Sequence, residues 1–137
     1  MPPDDVRAHL TRQWLSKAGH DARAAALALD ARDELWDIAA FHAQQTAEKA
    51  LKGFLAWHSR PTRPTHNLVD LVERCAAIDP TFVDIRGPAE LLTRFAVDAR
   101  YPGAAPEPDK ATASEALQRA HAVLEFVLAR LPAEAHP

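Results

Sequence analysis

Apolar side chains recur every three to four residues along most of this chain, and they divide it into five helical segments. The first is predicted over about 4–29, where Leu10, Trp14, Leu15, Ala18, Ala22, Ala25 and Leu29 form the repeating face. Gly19 interrupts it at a cost of about 1 kcal/mol relative to alanine, unless a neighbouring helix needs the close approach. The second is predicted over about 34–58, with Asp33 as its N-cap. Pro61 and Pro64 forbid its continuation. A third segment over about 67–78 follows, capped by Thr65 or Asn67, with Leu68, Leu71, Val72 and Cys75 as its apolar positions. Asp79-Pro80 ends it, and a short turn over 81–86 leads to a fourth helix over about 88–99 carrying Leu91, Leu92, Phe95 and Ala99. Three prolines and a glycine make 101–110 a loop. The last helix is predicted over about 112–131, and residues 132–137 read as a frayed tail. These elements predict an all-α, up-down bundle of about five helices, a single domain over 1–137 with its core over about 4–131.

One stretch departs from a simple amphipathic pattern. From Phe41 to Lys52 the second helix carries His42, Gln44, Gln45, Glu48, Lys49 and Lys52 among alanines and Leu51. At about 100° per residue, Phe41, Gln45, Glu48 and Lys52 share a stripe, with Gln44, Ala47 and Leu51 beside it. Glu48 and Lys52 form an i,i+4 pair in the favourable orientation. Two readings are open: a solvated helix face, or a polar network buried at an interface, where a charge survives only if paired and hydrogen-bonded. Asp21 on the first helix joins Glu48 and Lys52 in the second reading if the first two helices are antiparallel neighbours, with Lys49, Lys52 or Arg100 as its partner.

Composition agrees with helices, because alanine, leucine and arginine dominate and glycine is scarce. A length of 137 residues suits one domain. The formal net charge of −3 gives no reason to expect binding to a polyanion through overall charge. Cys75 is the single cysteine, so no intramolecular disulfide can form, which fits a reducing cytoplasm. The acidic start predicts no signal peptide, and the most apolar run, 122–131, is broken by Glu125 and Arg130, so no membrane span is expected. No His, Cys or Asp cluster has metal-ligand spacing, and phosphate-cradling glycine patterns are absent, so neither metal nor cofactor is expected. Ser59 and Cys75 lack a base partner for nucleophilic catalysis.

Four motifs in order then carry a resemblance to a known family: the Trp14–Leu29 helix with Asp21, the Gln44-Gln45-x-x-Glu48-Lys49 run, Thr65-His66-Asn67-Leu68, and Arg100-Tyr101-Pro102-Gly103. Together they resemble the HEPN domain family of small helical bundles. The resemblance implies a five-helix bundle that commonly dimerises and a partner carrying a minimal nucleotidyltransferase domain, the two often acting as a toxin–antitoxin pair. Many HEPN proteins are metal-independent ribonucleases that use an Arg, four to six residues, then His. Arg100 has no histidine behind it until His121, so the motif is missing at the expected place. Arg60 with His66 and Arg130 with His136 have the spacing, but a dozen arginines and seven histidines produce such pairs by chance.

Nuclease activity therefore stays open, with Arg100, His66 and His42 as its candidates. The leading expectation is a homodimeric HEPN protein that binds nucleotide or RNA beside a nucleotidyltransferase. Its candidate ligand-binding residues are Gln45, Glu48, Lys49, Lys52, Arg100 and Tyr101. Arg100 offers a planar fork at a helix end, suited to phosphate or to the helix dipole. Tyr101 could stack on a base or close the end of the bundle, and it is the only tyrosine a partner could modify. A purely structural or neutralising role is the third reading. His58, Arg60, Arg63 and His66 also gather basic character around the loop after the second helix, where RNA or an acidic surface could dock.

Overall fold

A computed structural model describes residues 4–96, 101–103 and 106–137 of the chain. Among them are five α-helices and no strand: α1 (Asp4–Asp30), α2 (Trp36–Trp57), α3 (Leu68–Ala76), α4 (Arg86–Thr93) and α5 (Lys110–Ala129). A 3-10 segment, Pro80–Ile85, joins α3 to α4, and a short one, Ala133–Ala135, follows α5.

α1 and α2 make the most extensive helix pair. Arg7 stacks over Trp57, Leu15 lies beside Gly53, and Asp21 bonds to His42, so the two helices run antiparallel. Their shared seam is mostly alanine, including Ala18, Ala22, Ala25, Ala43, Ala47 and Ala50. Small side chains let the backbones approach closely, and Gly53 marks the tightest point. A Cβ built there would collide with Leu15 Cδ2 and lie 3.2 Å from Trp14 Cβ. The close approach belongs to Gly53 rather than Gly19, around which the space is open. Gly19→Ala should therefore stabilise the protein by up to about 1 kcal/mol through helix propensity. A lower melting temperature for that variant would contradict the open space.

α5 covers the other side of α2, and α3 and α4 close the bundle between them. The core runs through Leu51, Phe54, Leu55, Leu68, Leu71, Leu92, Val123 and Val127. The 3-10 segment has more structure than a turn, because Phe82 is fully buried and Ile85 nearly so. Phe82 packs against Phe54 at 4.4 Å between ring centroids and against Phe126 edge-on at 5.0 Å. Arg130 lies on the Phe126 ring and donates from Nε to Thr81 Oγ1, fastening the 3-10 segment to α5.

Cys75 sits in this core and its thiol donates to the Leu51 carbonyl. Burial pushes the thiol up to about 12, so it carries no thiolate near neutrality. Native protein should resist a thiol reagent at pH 8 and react only after denaturation. Rapid labelling of the folded protein would contradict this packing.

Several boundaries differ from the sequence pattern. α2 begins at Trp36, and Asp33 does not cap it, because Glu34 adopts a left-handed φ of 57° that interrupts helical geometry before Leu35. Asn67 caps α3 by accepting from the amides of Val69 and Asp70, while Thr65 accepts from Asn67 itself. α4 is shorter than predicted and ends at Thr93; residues 97–99 of the predicted helix lie outside the described residues. Asp109 caps α5 by accepting from Thr112 N at 2.8 Å, so that helix starts two residues early. The tail is not frayed. Ala135 is buried, His136 Nε2 donates to the Leu128 and Leu131 carbonyls, and Arg12 donates to the Glu134 carbonyl. The His136 contacts fold the tail back onto the end of α5, and the Arg12 contact ties it to α1.

Candidate functional site

The polar face of α2 resolves into two clusters, each built on a buried carboxylate. Gln44, Glu48 and Lys52 follow one another at four-residue intervals, so they stack along one stripe. Glu48 is 4% exposed and Lys52 6%. Glu48 Oε2 accepts from Lys52 Nζ at 3.2 Å, and Oε1 accepts from Gln44 Nε2 at 3.1 Å and His66 Nδ1 at 2.9 Å. Gln44 is fully buried and also donates to the His66 carbonyl, while its own oxygen accepts from Gln45 Nε2. Lys52 lies over the Trp14 ring, a favourable cation–π arrangement for a desolvated ammonium. Every strong donor around this carboxylate is satisfied.

The second cluster occupies the neighbouring stripe. Asp21 of α1 accepts from His42 Nδ1 at 2.8 Å and from Lys49 Nζ. Asp21 therefore pairs with Lys49 and His42, and stands apart from the Glu48–Lys52 cluster with which it was grouped. The antiparallel run of α1 explains the separation: its Trp14 end faces Lys52, and Asp21, two turns further on, faces residues 42–49. Arg100, the third partner expected for Asp21 and the main catalytic candidate, lies outside the described residues.

Both histidines have the same design. A carboxylate only accepts, so Nδ1 carries the proton in each pair, and Nε2 is the ring nitrogen that the carboxylate does not engage. The His42 side chain is 30% exposed and that of His66 51%, against 25% for Lys49. The carboxylates face inward, and His42, His66 and Lys49 are the partly exposed members of the two clusters. Gln45 is half-buried and Tyr101 is exposed. Asn67 caps α3 and Leu68 N donates to Thr93 Oγ1 of α4, while the Gln44 bond to the His66 carbonyl holds the segment that carries His66 against α2. Among the described residues, no group of three or more His, Cys, Asp or Glu is arranged to hold a metal ion. No described helix is long and apolar enough to cross a membrane.

The model of the HEPN domain family matches residues 11–131. This chain belongs to that family. Two solved structures superpose closely. TT1696 from Thermus thermophilus is similar at a TM-score of 0.75 and 32% identity, over 88% of this chain and 98% of that one. ST0689, described as an archaeal HEPN homologue, gives 0.71 and 25% identity over 88% and 96%. No curated protein sequence matches the chain.

The spaced Arg–His pairs of this HEPN protein are engaged elsewhere. His66 turns to Glu48, while Arg60 lines a separate cleft beside Arg74. Arg130 is stacked on Phe126, and His136 closes the end of α5. The sequence pattern missed Gln44, the residue that links Gln45, Glu48 and the His66 backbone. Its four-residue spacing from Glu48 was the available signal.

Proposed function

We propose that this HEPN protein is a nucleotide- or RNA-binding subunit that acts as a homodimer beside a minimal nucleotidyltransferase in a toxin–antitoxin-like pair. One observation supports the binding role above others. On α2 and the segment that follows it, both carboxylates are turned inward, so the partly exposed Lys49 ammonium is a cation held at a fixed position beside His42. An anionic ligand suits such a face. Lys52 is too enclosed to touch a ligand, and its role is to balance Glu48. Exposed Tyr101 could stack on a base. The nucleotidyltransferase partner rests on the resemblance to paired HEPN proteins.

A second reading, a metal-independent ribonuclease, is favoured by the two carboxylate–imidazole pairs. Each leaves an Nε2 able to exchange a proton with a substrate. One set of measurements separates the readings. Calorimetry with ATP, other nucleotides and single-stranded RNA should give heat, and Lys49→Gln should weaken binding about five- to tenfold, the loss of one charge-assisted contact. Absence of heat with all of them would sink the binding role. RNA cleavage in the presence of EDTA that disappears in His66→Ala, with the fold intact, would establish the second reading instead.

A further inference from the structure

The loop after α2 holds a basic corner that neither cluster on α2 uses. Ser59 and Arg63 both take left-handed φ values, 55° and 53°, which bend the chain sharply away from the helix end. Arg60 between them is exposed, and among the described residues its guanidinium has no carboxylate or hydrogen-bond partner. It lines a cleft of about 170 Å³ together with Arg74 of α3, over apolar walls from Leu55, Pro61 and Ala77. Arg74 spends only Nε on Asp70 Oδ2, at 3.1 Å, so its terminal nitrogens stay available. Two guanidiniums share one small cleft with a single carboxylate beside them.

The other side of Arg60 carries the same imbalance. His58 is held below the ordinary imidazole range, first by burial and then by Arg7 and Arg60, with Asp79 opposing them. Arg7 stacks on Trp57 and pairs with Asp4, yet its Nε is buried without a hydrogen-bond partner, as is the Ser59 hydroxyl. Convergent cations of this kind suit an anion.

We propose that the cleft between the end of α2 and α3 is a phosphate-binding subsite in which Arg60 and Arg74 grip the phosphate oxygens. Its volume admits a phosphate group and its charged lining is the two guanidiniums, so it reads charge and not sequence. Two planar forks offer the bidentate geometry that phosphate favours. The phosphate could be a terminal one, on a nucleotide or free, or a backbone phosphodiester of RNA. The subsite is separate from the donors on α2, so it stands or falls independently of the binding role proposed for them.

Nuclear magnetic resonance on the full chain tests it, following the His58 imidazole and the Arg74 Nε–H signals. Inorganic phosphate should shift both. Saturation should raise the midpoint of His58 titration, because the added negative charge offsets Arg7 and Arg60 while Asp79 continues to favour the charged form. Arg60→Ala and Arg74→Ala should each weaken binding about tenfold, the loss of one charge-assisted contact, with Arg60→Lys retaining part of it. A response to phosphate and to RNA bearing a 5′-phosphate, but not to the same RNA lacking it, assigns a terminal phosphate. An equal response to both RNAs assigns the backbone. The proposal is overturned if neither phosphate nor RNA moves the His58 signal, or if the Arg60→Ala, Arg74→Ala double variant, melting like the parent, binds both as tightly.

Discussion

Glu48→Ala is expected to destabilise the protein by about 3–5 kcal/mol, the largest effect of any single substitution on the α2 polar face. The magnitude comes from what is left behind and not from the strength of the pair. Lys52 is 6% exposed, lies over the Trp14 ring, and would lose the carboxylate it donates to. Gln44 Nε2 and His66 Nδ1 would each lose a partner as well, although the half-exposed His66 recovers one from water. Urea denaturation measures the loss directly. The double variant Glu48→Leu, Lys52→Met should be far milder than Glu48→Ala, since removing both charges also removes their desolvation cost. Equal losses in the single and double variants would mean that packing, and not the stranded ammonium, sets the cost.

Gly53→Ala should destabilise by about 1–3 kcal/mol from overpacking, reduced by the roughly 1 kcal/mol that alanine gains in helix propensity. The added methyl meets Leu15 Cδ2 and Trp14 Cβ. Leu15 is almost fully buried, and Trp14 Cβ is tied directly to its backbone, so neither gives way without moving α1. Because α1 also carries Asp21, the shift should disturb the His42 and Lys49 contacts. Thermal melts of Gly53→Ala and Gly19→Ala should therefore move in opposite directions. The same chemical change in two long helices then reports on helix spacing alone.

The glycines illustrate where sequence reasoning was strong and where it stopped. Periodicity located all five helices, because burying one face is what makes each of them stable. It could not say which glycine faces a neighbour, since both fit a helix equally well and only the antiparallel pairing puts Gly53 against Leu15. Helix ends were read less well for a local reason. Asp33 is a good cap by type, but the left-handed Glu34 after it prevents a helix from starting there. Thr81–Arg86 looked like a simple connection, although Phe82 within it anchors three elements through Phe54 and Phe126.

For the candidate site, the run from Gln44 to Lys52 stood out because polar residues occupied positions that a core helix gives to apolar ones. Its division into two carboxylate-centred clusters was not legible. That division depends on Asp21 and His66, which are brought to α2 from elements remote in sequence. The basic loop was visible as a cluster of four residues, yet the structure redistributes it: His66 turns to Glu48, while Arg7 and Arg74 arrive from α1 and α3. Charge on a loop can be counted from sequence, but its neighbours depend on how the helices pack.

The clasp between Arg12 and the Glu134 carbonyl joins residues 122 positions apart. Closing so long a loop carries a high entropic cost unless other contacts have already shortened it. The α1–α2 hairpin can form as soon as both helices leave the ribosome, whereas the clasp must wait for nearly the whole chain. The clasp therefore forms on a bundle that the helices have already brought together, and it holds the segment after α5 against the first helix.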